Sequence, residues 1–330
     1  MKKFIVTFSI LVLILSAGYS QNPDKNNIGK YTYTRLPLKP LPKEYKAYVI
    51  EANTASGDKY VRDIIMGGIN IAGFQKSADG SSDFRVFVDE YPFEHTSPER
   101  QTTVRTQKKD GVETKTTYYY YTWTTSYKMK AIVYNHLNES VYSKDFDLGG
   151  KHATGENTNQ SDAYKEYSNT LQTLKRKAMD GGVDNLNSDL NSLFGYYPCW
   201  FTPDIYTIKA KKFDYSDFDQ AFTLANEACQ TVMQDENAID AAKDKFEQAM
   251  VIWNKALAEF DPEVKKVRID KDVAFAANYN VGICQLLMKQ YDNCLASMEK
   301  CRELKKMGGG VAEIKNIAED SKKRAEANGI

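Results

Sequence analysis

One short stretch of the chain, KKFDYSDFDQ, brings three carboxylates close together and is the first candidate for chemistry. They are Asp214, Asp217 and Asp219. Glycoside hydrolysis needs two carboxyl groups roughly 5–10 Å apart across a cleft, and closeness in sequence does not establish such a cleft. Asp217 also lies where a helix is predicted to begin, and a carboxylate there accepts backbone hydrogen bonds. A hydrolase is therefore the third of three hypotheses for this chain.

The other residue types that support catalysis or bind metals lack the required spacing. His95, His136 and His152 form no HExxH motif, and none has a nearby Cys or His at metal-ligand spacing. The chain has neither a P-loop nor a G-x-S-x-G motif. Cys199, in YYPCW, would need a histidine base close in space to act as a nucleophile. We predict no metal, no cofactor and no enzymatic activity.

A run of aromatic residues between 118 and 127 allows two interpretations. Tyr119, Tyr121 and Trp123 fall on one face of a predicted strand. If they are exposed, their rings can stack on sugars such as cell-wall glycan. If they are buried, they form part of a core beneath helices. A glycan-binding module is the second hypothesis.

The start of the chain has the pattern of a secretory signal peptide, which we assign to residues 1–20. Lys2 and Lys3 precede an apolar run of twelve residues, and small residues follow. That run is shorter than the roughly 20 residues that a membrane-spanning helix needs, and no later segment is apolar enough to span. The first cysteine is Cys199, so a lipid anchor near the cleavage site is not expected. We predict an exported bacterial protein that is periplasmic, outer-membrane-associated or secreted.

Composition excludes two classes of partner. Hydrophobic residues make up 42% of the chain, enough for a folded core. Loss of Lys2 and Lys3 with the signal peptide would leave 42 basic residues against 44 acidic ones. A charge balance near zero gives no electrostatic basis for binding nucleic acid or an anionic membrane.

Residues 21–45 are predicted to form an extended leader, and residues 46–212 an α+β domain. Pro37, Pro40 and Pro42 disfavour helix in the leader. Asp110-Gly111 predicts a tight hairpin between residues 101–109 and 112–134. Residues 161–193 have the pattern of one long helix, or of two with a break near Gly181-Gly182. The order of elements indicates an antiparallel sheet with helices on one face.

Residues 213–330 are predicted to be helical. Three segments share an aromatic residue, a small residue three positions later and another small residue seven positions beyond that. This pattern suits closely packed antiparallel helices. The three sets are Phe218, Ala221 and Ala228; Phe246, Ala249 and Ala256; and Tyr291, Cys294 and Cys301. Four of the five cysteines lie on helical patterns in this region, where we expect buried thiols, and a Cys284–Cys294 bridge remains open.

Residues 279–304, YNVGICQLLMKQYDNCLASMEKCREL, resemble one tetratricopeptide repeat, a helix-turn-helix unit that usually binds other proteins. Gly282 stands where the two helices would approach closely. Asn278 and Lys289 depart from the family pattern, which favours a large apolar residue and a glycine at these positions. The first helix of such a unit usually lines the binding groove. The resemblance therefore implies that Tyr279, Ile283 and Leu286 contact a partner.

Taken together, these patterns favour an α+β N-terminal domain followed by an all-α, tetratricopeptide-like domain. The leading hypothesis is a non-enzymatic interaction or scaffold protein of the bacterial cell envelope with a protein partner. The alternatives are a glycan-binding module that uses the aromatic strand and an envelope hydrolase.

Overall fold

The computed structural model describes residues 22–55, 57, 59–78, 82–209, 212–264, 267–304 and 309–330. The predicted signal peptide lies outside these residues. A β-rich region with antiparallel sheets is followed by a series of helices, so the predicted fold class is confirmed. None of the described helices combines the length and apolar character that crossing a membrane requires.

The strands are β1 (Asn22–Asn27), β2 (Tyr31–Arg35), β3 (Ala47–Thr54), β4 (Gln75–Lys76), β5 (Phe84–Glu90), β6 (Glu94–His95), β7 (Glu99–Lys109), β8 (Val112–Ser126), β9 (Lys128–Asn135), β10 (Ser140–Asp147), β11 (Gly150–Ala153), β12 (Tyr197–Phe201) and β13 (Asp204–Lys209). The helices are α1 (Lys59–Gly68), α2 (Gln160–Leu193), α3 (Ser216–Gln234), α4 (Ile239–Leu257), α5 (Lys271–Leu287), α6 (Tyr291–Leu304) and α7 (Gly309–Ala327).

The chain forms two compact units whose boundaries differ from the predicted ones. The helical unit combines the segment that ends at Leu36 with Pro198–Ile330, and the sheet unit is Pro37–Tyr197. The first part of the predicted leader is therefore not a free arm. Strand β1 pairs antiparallel with β13, from Asn22 opposite Lys209 to Asn27 opposite Asp204. This long-range pairing draws both strands into the helical unit.

The sheet unit is built on a five-stranded sheet in the order β10-β9-β5-β3-β4. The β10–β9 and β9–β5 pairs are antiparallel, whereas β3 runs parallel to both β5 and β4. Burial alternates along β5, as expected for a strand with one covered face. Side chains of α1 and α2 pack on that face, including Ile65, Val183 and Leu186. The predicted layer of helices on one face of the sheet is confirmed.

The predicted hairpin is present and has the expected register. Asp110 and Gly111 both adopt positive φ, at 51° and 82°, the combination that a two-residue hairpin turn needs. Lys108 pairs with Glu113, and Arg105 pairs with Thr116. The returning strand was predicted to continue to residue 134, but it is interrupted at Tyr127, and β8 and β9 belong to different sheets.

Helix α2 runs for 34 residues without a break at its two glycines. The surroundings of these two glycines differ. A Cβ on Gly182 would lie 2.5 Å from Met129 Sδ and 2.8 Å from Leu148 Cδ1, whereas a Cβ on Gly181 would have no atom within 4 Å. Gly182 therefore permits close contact between α2 and the sheet, and Gly181 has no such role.

The two glycines predict opposite effects of the same substitution. Gly181→Ala should raise the free energy of unfolding by up to about 1 kcal/mol, because alanine favours the helix and meets no neighbour. Gly182→Ala should lower it by about 1–3 kcal/mol, because the added methyl group overpacks the core. Urea unfolding of both variants measures the difference. Equal effects would contradict the proposed contact between α2 and the sheet.

In the helical unit, α5 lies at the centre. Of its 17 residues, 14 are buried, and it contacts α3, α4, α6, α7, β1 and β13. A helix that is buried all round has no polar face. Its approach to α6 depends on Gly282, since a Cβ there would overlap Met298 Cε and lie 3.3 Å from Ser297 Cβ. The close approach predicted at Gly282 is confirmed.

One buried polar side chain joins α5 to the β1–β13 pair. The Asn280 carboxamide accepts from Tyr206 N at 2.7 Å and donates to Tyr206 O at 2.8 Å. It thereby satisfies both backbone groups of a β13 residue in the way that another strand would. Nearby Asn278 donates to Ala274 O, within its own helix, at 2.8 Å.

These two asparagines form a matched pair for measuring that link. Asn280→Ala should lower the free energy of unfolding by about 2–4 kcal/mol, because it leaves two buried backbone groups of Tyr206 without partners. Asn278→Ala should cost about 1 kcal/mol, because Ala274 O keeps its helical bond. Urea unfolding gives both values, and hydrogen exchange at Tyr206 should accelerate only in Asn280→Ala. A cost for Asn280→Ala no larger than that for Asn278→Ala would contradict this role.

Candidate functional site

The three residues predicted to line a partner groove lie inside the helical unit. Tyr279, Ile283 and Leu286 are 3%, 0% and 6% exposed. Strand β13 covers this face of α5, with the Tyr206 ring 5.2 Å from that of Tyr279. The expected open groove along α5 is therefore not formed, because β1 and β13 occupy its place. Of the three, Leu286 lines a cavity that is described below.

The aromatic residues of the glycan-binding hypothesis are also mostly covered. Tyr121 and Trp123 are 7% and 3% exposed, and Tyr119 is half-buried. They pack beneath α2, where the Tyr167 ring meets that of Trp123 edge-on at 4.9 Å. This face of β8 is core, as the structural interpretation of the sequence predicted. It offers no open platform for stacking on a sugar.

The candidate acidic cluster is held by an arginine. Arg268 makes a two-point contact with Asp217, at 2.9 and 2.8 Å, and a second one with Glu259, at 3.0 and 2.8 Å. Hydrogen bonds from Arg268 lower the pKa of Glu259. A general acid needs a raised pKa, and that of Glu259 is lowered. Both Asp217 and Glu259 form ion pairs with Arg268. Asp214 Oδ1 accepts from Ser216 N at 2.9 Å at the start of α3.

Histidines and cysteines form no metal-ligand cluster within the described part of the chain. No group of three or more His, Cys, Asp or Glu side chains there could hold an ion. His152 Nε2 lies 2.8 Å from Thr125 Oγ1, and His95 Nδ1 lies 3.3 Å from Tyr167 Oη. All five cysteines are free, so the Cys284–Cys294 bridge is not formed. Cys199 is half-buried and the other four are buried.

The candidate site is a cavity of about 250 Å³ in the helical unit. Its walls come from β2, β12, the α3–α4 loop, the α5–α6 turn and α7. Rings of Tyr31 and Tyr33 stack at 5.8 Å, and Phe201 meets Tyr31 edge-on at 5.5 Å. The aromatic and aliphatic lining residues are Tyr31, Tyr33, Leu36, Phe201, Leu286, Tyr291, Ile317 and Ile330. The polar ones are Thr34, Arg35, Glu236, Asn237, Lys289, Ser321 and Arg324.

An arginine–aspartate–arginine cluster ties β2 to α7 at one side of the cavity. Arg35 donates to both oxygens of Asp320, at 2.9 and 3.0 Å. Arg324, 2% exposed, donates to Asp320 Oδ2 at 2.8 Å and to Leu36 O at 2.6 Å. Burial alone would raise the pKa of Asp320, but the hydrogen bonds from the two guanidiniums outweigh it, and the pKa is lowered. The Asp320 carboxylate thus forms ion pairs with two guanidinium groups.

Apart from Lys289, the remaining polar groups of the wall are neutral or already paired. Glu236 accepts from Thr34 N and Thr34 Oγ1, both at 2.7 Å. Burial raises the pKa of Tyr33 to about 12 and raises those of Tyr31 and Tyr291 as well. These phenols therefore stay protonated near neutral pH and can donate hydrogen bonds.

A scan against protein-family models matched no family, and a search of curated proteins found no relative.

The cavity was not predicted from the sequence because β2, which forms its first wall, lies in the predicted leader. Tyr31, Tyr33 and Arg35 alternate with threonines in YTYTR. That period of two is the pattern of a two-faced strand, and it was the local signal that could have identified β2. No local sequence pattern indicates that β2 pairs with β12 or lies close to α7.

Asp320 predicts a specific dependence of stability on pH. Its folded-state pKa is depressed, so the carboxylate stabilises the fold above about pH 4 and loses that contribution as pH falls through the folded value. At pH 7, Asp320→Asn should lower the free energy of unfolding by about 1 kcal/mol, given its partial exposure. The difference in the free energy of unfolding between wild type and Asp320→Asn should approach zero towards pH 3.

Urea unfolding at several pH values measures that difference. Glu319→Gln is a matched control on the same helix, because within the described part of the chain Glu319 forms only an exposed ion pair with Lys315; its effect should stay near zero. A difference for Asp320→Asn that is constant between pH 7 and pH 3 would contradict the ion-pair assignment.

Proposed function

We propose that this chain is a non-enzymatic interaction protein of the bacterial cell envelope. In this proposal the helical unit is the binding part, and its aromatic cavity receives a group carried by a protein partner. The pattern of residues 1–20 supports export, and the tetratricopeptide-like pattern of residues 279–304 supports a role in protein contact.

The observation that carries this proposal is the cavity itself. It is lined by eight aromatic or aliphatic side chains and seven polar ones, and binding sites usually combine apolar walls with polar groups in fixed positions. Tyrosine and arginine are also the residues that dominate binding energy at protein interfaces. In this cavity, two arginines from segments more than 280 residues apart in sequence come together, since Arg35 and Arg324 both bind Asp320.

Neither alternative function has comparable support. A glycan platform on β8 would need exposed rings, and Tyr121 and Trp123 are packed beneath α2. A hydrolase based on Asp217 would need a free partner carboxyl group, and its neighbour Glu259 is bound to Arg268. We therefore place binding in the helical unit and assign the sheet unit no separate activity.

The proposal can be tested by site-specific photo-crosslinking in intact cells. A photo-crosslinking amino acid at position 321, which lines the cavity, should give a discrete adduct with an envelope protein. The same amino acid at position 316 should not, because Asn316 is exposed on the same helix but outside the cavity. Ile317→Trp should fill the cavity and lower the affinity for the purified partner at least tenfold, about 1.4 kcal/mol.

The control for Ile317→Trp is its thermal melting curve, which should match that of wild type. Two results would count against the proposal. One is equal crosslinking from positions 316 and 321. The other is undiminished partner affinity in a folded Ile317→Trp variant.

A further inference from the structure

Lys289 lies in the α5–α6 turn and adopts a backbone conformation that is unusual for lysine. Its φ is 60°, in the left-handed region where a Cβ is unfavourable and glycine is the usual residue. Gln290 N donates to Gln285 O at 2.8 Å, and Lys289 N donates to Leu286 O at 3.0 Å. These two bonds define a Schellman helix end. The turn therefore needs left-handed backbone at this position but does not need a side chain.

The side chain of Lys289 lines the cavity and is exposed. Within the described residues its ammonium group makes no hydrogen bond or ion pair. The other two cations of the wall differ in this respect, because Arg35 and Arg324 both bind Asp320. Lys289 is therefore the cation of the wall that an incoming ligand can engage without breaking an existing pair.

The charges around the cavity favour an anion. Arg35, Arg324 and Lys289 are cationic, whereas Asp320 and Glu236 are anionic, and Glu236 already accepts two bonds from Thr34. Among these side chains the balance is one positive charge, at Lys289, beside the eight aromatic and aliphatic side chains of the lining. An ammonium group near a low-dielectric wall attracts a carboxylate more strongly than it would in bulk water.

The volume indicates the size of the apolar group. An apolar cavity of about 150 Å³ can hold benzene, so about 250 Å³ accommodates one aromatic ring with a short linker. The stacked pair Tyr31–Tyr33 and the edge of Phe201 provide faces and edges against which a ring can pack.

We propose that the cavity binds an apolar, ring-sized group that bears a carboxylate, and that Lys289 recognises the carboxylate. This inference rests on the proposed binding function and specifies the chemistry of the bound group. Free aromatic acids and the C-terminal residue of a polypeptide both have this chemistry. A lysine near a helix C-terminus is also favoured by the helix dipole, but that structural role predicts no effect on ligand choice.

The experiment compares acids with their amides. Binding of 3-phenylpropionate and 3-phenylpropionamide to the full-length chain is measured by NMR titration. N-acetylglycylphenylalanine and its amide represent the end of a polypeptide. Each acid should bind about tenfold more tightly than its amide, as expected for one charge-assisted hydrogen bond. The larger acid-over-amide ratio identifies the source of the natural group.

Three variants separate recognition from structure. Lys289→Gln should remove the preference for the acid, and Lys289→Gly should remove it while raising the melting temperature, because glycine relieves the left-handed strain. Lys300→Gln is the matched control, because Lys300 is exposed on α6 and lies outside the cavity lining; it should keep the preference.

Equal binding of acid and amide to wild type, absence of binding by every probe, or a preference that persists in Lys289→Gln would each overturn this inference. Those outcomes leave the photo-crosslinking test of the proposed function intact. Conversely, a partner that crosslinks at position 321 but has no carboxylate at the contact would refute the inference alone.

Discussion

The helical unit depends on the burial of α5 on all of its faces. A helix in that position needs close neighbours on every side, and two residues of α5 allow those neighbours to pack closely against it. Gly282 allows the approach of α6, and the amide of Asn280 lets a strand lie where another helix would otherwise pack. A buried polar group with both of its bonding capacities satisfied specifies one register, and here that register fixes Tyr206 on α5. The β1–β13 pair is thus a structural part of a mainly helical unit.

The position of the cavity follows from this arrangement. Strand β1 is aligned on β13 along six residue pairs, and only three residues separate it from β2. The location of Tyr31 and Tyr33 is therefore largely set by a contact outside the cavity. Glu236 then binds Thr34 from the α3–α4 loop, and Asp320 binds Arg35 from α7. Three separate interactions thus hold one short strand as a wall, which explains how the cavity can be preformed.

Features determined by short-range physics could be predicted from the sequence, and features determined by long-range pairing could not. The Asp110-Gly111 turn fixed the hairpin register, since only a few residue types accept positive φ twice in succession. Alternation placed Tyr121 and Trp123 on the same face of β8, and the structure shows that this face is buried. By contrast, nothing near Asn22 indicates Lys209 as its partner, and the apolar pattern of α5 does not say whether a ligand or a strand covers it. Tyr279 and Ile283, predicted to line a groove, are therefore buried, whereas Leu286 lines the cavity.

Lys289 has a backbone conformation that is unfavourable for lysine, and this suggests that its side chain has a role in the cavity. The turn it occupies would be more stable with glycine, and the departure from the tetratricopeptide pattern at this position has no packing explanation, because the side chain is exposed. Strained residues persist where the surrounding structure or the function of the site compensates for them. Among the described side chains of this cavity, the two arginines are paired with Asp320 and the tyrosines remain uncharged, so Lys289 is the cation without an ion-pair partner. Because Lys289 lies in a short, well-defined turn rather than on a helix face, the position of its backbone is fixed. Its ammonium group therefore gives the cavity a polar end as well as an apolar one.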